Sequence, residues 1–103
     1  MIIQKSYAIG AVVCFKLVNG DEIVAKLVAE TFDYYVIDRP YTVVPSQQGL
    51  GLIQSLFCGD INNNNITLNK QFVIMHVPPI KDMVNHYIHT TTGIQPVSNG
   101  III

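Results

Sequence analysis

The stretch AVVCFKLVNGDEIVAKLVAE, residues 11–30, decides the fold class. Two runs rich in β-branched residues, Ala11 to Val18 and Glu22 to Glu30, flank Asn19-Gly20. That dipeptide between alternating apolar runs is a strong hairpin signal, because its backbone readily adopts positive φ. Side chains alternate across a strand, so Val13, Phe15 and Leu17 share one face, opposite Cys14, Lys16 and Val18. Ile23, Ala25 and Leu27 alternate with Val24, Lys26 and Val28 in the same way. Only the lysines have the character of fully solvated positions, which predicts a sheet partly covered on both faces.

Outward from this hairpin, the spacing predicts a third strand through Tyr34, Tyr35, Val36 and Ile37, interrupted near Asp38-Arg39-Pro40 and resumed from Tyr41 to Val44. Pro40 marks a bend or an edge. Beyond the turn-rich PSQQG, residues Leu50 to Cys58 read as a fourth strand, with Gly51 a bulge or tight-packing point. GDINNNN turns the chain, the run Asn62 to Asn65 being a plain loop in which Asn tolerates left-handed backbone. Ile66 to Val77 is strand-like but broken by Asn69, Lys70 and Gln71, and Pro78-Pro79 stops it. The period then changes: Ile80, Met83, Val84, Tyr87 and Ile88 recur at helical spacing, with Lys81, Asp82, Asn85, His86 and His89 opposite. The expected architecture is one domain over 1–103. A mostly β, small five-stranded, strongly bent barrel spans about 11–78, an amphipathic helix about 79–92 and a tail 93–103. The tail is either frayed or a strand completed by a neighbouring subunit.

Composition narrows the function classes. Half of the 103 residues are hydrophobic and only 13% are charged, against about a quarter in typical soluble domains. A chain this short buries roughly two-thirds of its unfolded surface, so the apolar excess implies exposed patches and hence partners. A net charge of −1 excludes holding duplex phosphates by charge alone. Cys14 and Cys58 form no CxxC pair and no four-thiolate zinc set, which predicts free thiols in a reducing compartment. The apolar part of MIIQKSYAIG is too short for a signal peptide. Tyr41 to Gly59 is uncharged but carries Pro45, three Gln and two Ser, which a membrane core penalises. The expectation is a soluble, cytoplasmic protein with no membrane partner.

Five bent strands in about seventy residues, opened by an Asn-Gly hairpin and joined to one helix, outline a small Sm-like or SH3-like barrel. The segment FKLVNGDEIVAKLVAETFDYYVIDRP carries a resemblance to the first motif of the Sm/LSm (Hfq-like) family, Phe15 to Asp38 spanning it. The second motif falls at Leu68-Asn69-Lys70, before Phe72 to Val77. The whole chain also resembles small proteins of marine bacteriophages, especially cyanophages, with this hairpin and a TTTGI-like ending; the cytoplasm would then be that of a bacterial host. The resemblance implies a homo-oligomeric ring of roughly five to seven subunits, closed head to tail by pairing edge strands around Leu50 to Leu68 and Val73 to Val77. It also implies single-stranded RNA, or single-stranded DNA, bound at Asp33, Tyr34 and Tyr35 of the first loop and Asn69 and Lys70 of the second. The family's base-reading Asn has no counterpart, and Lys70 stands where Arg is usual, a point charge in place of a planar fork. This shifts the expectation from uridine-specific reading to general single-strand binding by tyrosine stacking and lysine charge.

Other chemistry was weighed against a plain packing role. One of Tyr34 and Tyr35 should point into the core, since neighbours alternate. Asp82, His86 and His89 share a helix face at a spacing that could ligate zinc, but no second cluster closes the site, so a solvated face is preferred. His76 in an apolar strand reads as a hydrogen-bonded core or interface residue. Cys58 with a histidine has no local motif for nucleophilic catalysis. With no P-loop, GxGxxG or nucleophile elbow, the expectation is a non-enzymatic protein without cofactor. The alternative is a structural or adaptor ring in phage assembly or host takeover.

Overall fold

The computed structural model describes residues 7–60 and 66–92. The fold is mostly β, with six antiparallel strands in one sheet and one C-terminal helix. The strands are β1 (Val12–Leu17), β2 (Glu22–Glu30), β3 (Tyr34–Ser46), β4 (Gly49–Gln54), β5 (Ile66–Asn69) and β6 (Val73–Val77); a 3-10 turn (Lys70–Phe72) joins β5 to β6, and α1 is Lys81–Thr92. The N-terminal stretch of the chain, the asparagine run and the tail from residue 93 lie outside the described residues.

The opening hairpin forms as the alternation predicts, with Val13 opposite Ala25 and Phe15 opposite Ile23. Its connection has three residues rather than two. Leu17 N–H donates to Asp21 O at 2.8 Å, Gly20 N–H donates to Leu17 O at 2.9 Å, and Gly20 takes φ +97°. The side chain of Asn19 accepts from Asp21 N–H, so this dipeptide supplies both the left-handed residue and a side-chain bond.

The strand order is β4-β3-β2-β1-β6, with β5 also on β3. Two expected elements therefore differ from their sequence outline. The third strand is continuous through Asp38-Arg39-Pro40 but kinked there, and its halves have different partners. Tyr41 to Ser46 pair with β4, whereas Tyr34 to Ile37 pair with β5. The run from Ile66 to Val77 is broken where expected, at the 3-10 turn, but its parts have different partners: the first lies along β3 and the second along β1. The extra strand arises because that last run supplies two strands, β5 and β6, while the expected fourth strand, Leu50 to Cys58, is the shorter β4, ending at Gln54. The 3-10 turn carries the chain from one edge of the sheet to the other, curling it into a barrel-like form.

The core uses one face of the first three strands: Val13, Phe15, Ile23, Ala25, Leu27, Tyr35 and Ile37 are buried together, with Leu17, Ile66, Leu68 and Val73 packed around them. Full burial of side chains such as Phe15 and Leu27 stabilises by about 1.5–3 kcal/mol each. No residue of β4 belongs to this cluster. Val24 is fully buried yet stands on the opposite face, beside Cys14 and Tyr41 in register.

The helix explains that second covered face. Tyr41 and Tyr87 meet edge to face at 6.0 Å, and Tyr87 is the single buried residue of α1. Its hydroxyl accepts from Lys26 N–H at 3.1 Å and is 2.9 Å from the carbonyls of both Asp38 and Arg39, to which its one proton is donated. Those backbone groups are the ones that the kink removes from the ladder. Arg39 sits at φ +50°, in the left-handed region, a strain of about 1–2 kcal/mol for a side chain with Cβ. Burial pushes the Tyr87 hydroxyl pKa well above its ordinary value, so it stays protonated and able to donate. The amphipathic reading of α1 thus needs correction on its apolar face: Ile80 and Ile88 are exposed, and Met83 and Val84 half-buried.

Tyr87→Phe keeps the ring and orphans three backbone groups. We expect a loss of about 1–3 kcal/mol in urea unfolding, whereas Ile88→Ser on the same helix stays within about 0.5 kcal/mol.

Candidate nucleic-acid interface

The five residues expected at the site, Asp33, Tyr34 and Tyr35 of the first motif and Asn69 and Lys70 of the second, fall on two segments joined by β3–β5 pairing. Between β2 and β3 the chain reverses through Thr31, Phe32 and Asp33. Thr31 Oγ1 accepts from Asp33 N–H at 3.2 Å and from Tyr34 N–H at 3.1 Å, and Thr31 N–H donates to Tyr34 O at 2.8 Å. One hydroxyl thus replaces ladder bonds that a tight reversal leaves open. The result is an ordered turn carrying Phe32 at 95% exposure.

Opposite it, Asn69 pairs with Tyr34 in register. The Asn69 side chain accepts from Gln71 N–H at 2.9 Å and caps the 3-10 turn, and Lys70 N–H donates to Asp33 O at 3.0 Å. These bonds fix the two segments around an open hollow of about 560 Å³ lined by Phe32, Asp33, Asn69, Lys70 and Gln71.

The structure separates the two tyrosines. Tyr35 turns inward and is 5% exposed, packed on Phe15 at 4.9 Å between ring centroids; Tyr34 is 38% exposed. Tyr35 therefore belongs to the core beneath Lys70 and not to the lining of the hollow. Burial, then the nearby Glu30 charge, raises its hydroxyl pKa. The Lys70 ammonium lies 4.9 Å from the Tyr35 ring centroid and donates to Glu30 Oε2 at 2.7 Å. Both partners are partly solvated, and such a pair contributes at most about 1 kcal/mol. Phe32, Gln71 and Glu30 were absent from the sequence-based set. The signal for Phe32 was a large aromatic placed in a Thr-x-Asp turn, where nothing can bury it.

Tyr35 and His76 meet edge to face at 6.1 Å, and His76 Nδ1 shares a 2.7 Å hydrogen bond with the Tyr7 hydroxyl. His76 is thus a half-buried, hydrogen-bonded strand residue. Asp82, His86 and His89 lie on the exposed side of α1. Among the described residues no group of three or more His, Cys, Asp or Glu side chains is placed to hold a metal ion. None of their helices is long and apolar enough to cross a membrane. The thiols differ sharply: Cys58 is exposed, whereas Cys14 is half-buried and donates to Glu22 Oε2 at 3.0 Å. Burial first, and then that hydrogen bond, pushes the Cys14 thiol from 9.0 to about 12.

The two ends of the strand order share a property. From Tyr41 to Gly59 and from Gln71 to Ile80 there is no Lys, Arg, Asp or Glu. These windows contain β4 and β6, each paired on one side only among the described residues. Leu50, Ile53, Ile74, Met75 and Val77 are exposed there. No family model matches the chain, and no curated protein matches it.

Thiolate is the reactive form, so iodoacetamide near neutral pH is expected to add once per folded chain, at Cys58. Mass spectrometry of digested protein reads this, and Cys14 should label only in denaturant. Equal labelling of both in the folded protein would contradict the burial of Cys14.

Proposed function

We propose that this chain is a non-enzymatic, Sm-like, ring-forming barrel that binds single-stranded nucleic acid, RNA in the first instance, on its turn face. The observation that carries the proposal is that exposed Phe32, with Asp33, faces Asn69, Lys70 and Gln71 across one hollow, while the exposed Tyr34 stands beside it, paired with Asn69. Base stacking on aromatic side chains tolerates any sequence and contributes about 1–3 kcal/mol per base. The resemblance of Phe15 to Asp38 to the first Sm motif supports the same placement. The charge-free edges support assembly, since natural edge strands that must stay unpaired are usually protected by lysine or other charge. Pairing β4 of one copy with β6 of the next would cover both ends of the strand order and repeat the turn face around the ring. Repetition converts a weak single contact into avidity.

A second reading, an adaptor ring whose partners are proteins, is favoured by one observation. Among the described residues Lys70 is the only cation lining the hollow, and Glu30 holds it while Asp33 adds a second negative charge. Two measurements on the intact protein decide between them. Light scattering should give the mass of a ring, and fluorescence anisotropy should detect single-stranded RNA at low salt. Phe32→Ala should weaken binding by about tenfold with the mass unchanged. Absence of binding at low salt by a protein of ring mass leaves the adaptor reading; a monomer mass overturns both.

A further inference from the structure

We infer that the hollow takes a guanine base of a single strand, read on its Watson–Crick edge by Asp33, an inference that rests on the single-strand reading above. The first consideration is which part of a nucleic acid the hollow admits. Its one cation among the described residues, Lys70, already donates to Glu30 at 2.7 Å, and Asp33 adds a carboxylate to the lining. A phosphate placed there meets two carboxylates and one neutralised ammonium, so the backbone is kept out and a base must enter.

The second consideration is which base. Asp33 is fixed through its main chain, its N–H to Thr31 Oγ1 and its carbonyl to Lys70 N–H, while its exposed carboxylate has no partner among the described residues. An ionised carboxylate only accepts. Guanine alone presents two adjacent donors on its Watson–Crick edge, N1–H and N2–H, which match the two carboxylate oxygens. Uracil flanks its single N–H with two carbonyls, which a carboxylate repels. Adenine and cytosine each set one donor beside a ring nitrogen acceptor. The amide of Gln71, and the Asn69 amide nitrogen left over when its oxygen caps Gln71 N–H, supply donors for guanine O6 from the other rim. Phe32 offers an exposed ring for stacking at the same opening. This departs from the uridine preference implied by the Sm resemblance, and the departure follows from a carboxylate lining the hollow without an arginine to offset it.

The test uses the full chain and short single-stranded RNAs of repeating adenine-adenine-guanine, adenine-adenine-uracil, adenine-adenine-cytosine and adenine alone, followed by anisotropy. The guanine repeat should bind about tenfold tighter than the others, the usual discrimination of a bidentate base contact. Asp33→Asn, which breaks no hydrogen bond of the turn, should remove that preference, while Phe32→Ala should weaken all four RNAs together. Equal binding of the guanine and uracil repeats by the unaltered protein overturns the inference and leaves general single-strand binding standing. A guanine preference that survives in Asp33→Asn also overturns it. Failure of every RNA to bind removes the single-strand reading itself, and the inference with it.

Discussion

A strand of thirteen residues that serves two partners has to bend, and the bend in β3 is the constraint on which the rest depends. Its first half faces β5 and its second half β4, with Asp38, Arg39 and Pro40 between them. Proline offers no N–H to the ladder and Arg39 adopts a left-handed backbone, so the bend leaves carbonyls without strand partners. It also buries Asp38, whose Oδ2 lies 3.6 Å from Arg39 Nη1 while Oδ1 has no hydrogen-bond partner among the described residues. An unmade buried hydrogen bond costs more than a made one contributes. The Tyr87 hydroxyl, arriving from the far end of the described chain, answers the backbone part of that cost. The helix is therefore a component of the sheet's curvature rather than an appendage to it.

The same bend creates the turn face. Because β5 lies on the first half of β3, Asn69 stands opposite Tyr34, and the 3-10 turn that follows falls beside the β2–β3 reversal. Side-chain alternation then divides the work between adjacent tyrosines. Tyr35 enters the core beneath Lys70, and Tyr34 stays at the rim. Lys70 is held from below by an aromatic face and from the side by Glu30, which fixes its position while cancelling much of its field at long range. A surface of this kind favours stacking and short-range hydrogen bonding over electrostatic steering.

The hairpin was legible because two independent local signals agree there: the Asn-Gly dipeptide and the period-two alternation of Val13, Phe15, Ile23, Ala25 and Leu27. The polar break in Ile66 to Val77 was legible too, but the pairing of its two parts with different strands, β3 and β1, was not, because periodicity tells which face a residue takes and not which strand lies beside it. The helix shows the same limit. The apolar spacing of Ile80, Val84, Tyr87 and Ile88 marks a real stripe, yet Tyr87 alone is buried, since what covers a stripe is decided by distant residues. Of the site residues, Asp33, Tyr34, Asn69 and Lys70 were legible as neighbours through motif position. The ion pair from Glu30 to Lys70 spans forty residues and has no local signature. Phe32 escaped notice because turn residues are read for backbone conformation rather than for what they display.

The break between β4 and β5 has a bearing on how this chain can vary. Gln54 stands opposite Tyr41 and Ile66 opposite Ile37, so the excursion over residues 55–65 leaves β3 on one side of the bend and returns on the other. On β3 itself only residues 38–40 separate those points. The ends of the excursion are fixed by strand pairing whatever lies between them, and the entropy of closing a loop grows only logarithmically, about 0.6 kcal/mol for each doubling of length. The fold thus carries, between two fixed points on either side of the bend, a connection whose length can change at little thermodynamic consequence. Diversification of the fold has a natural entry point there, separate from the turn face.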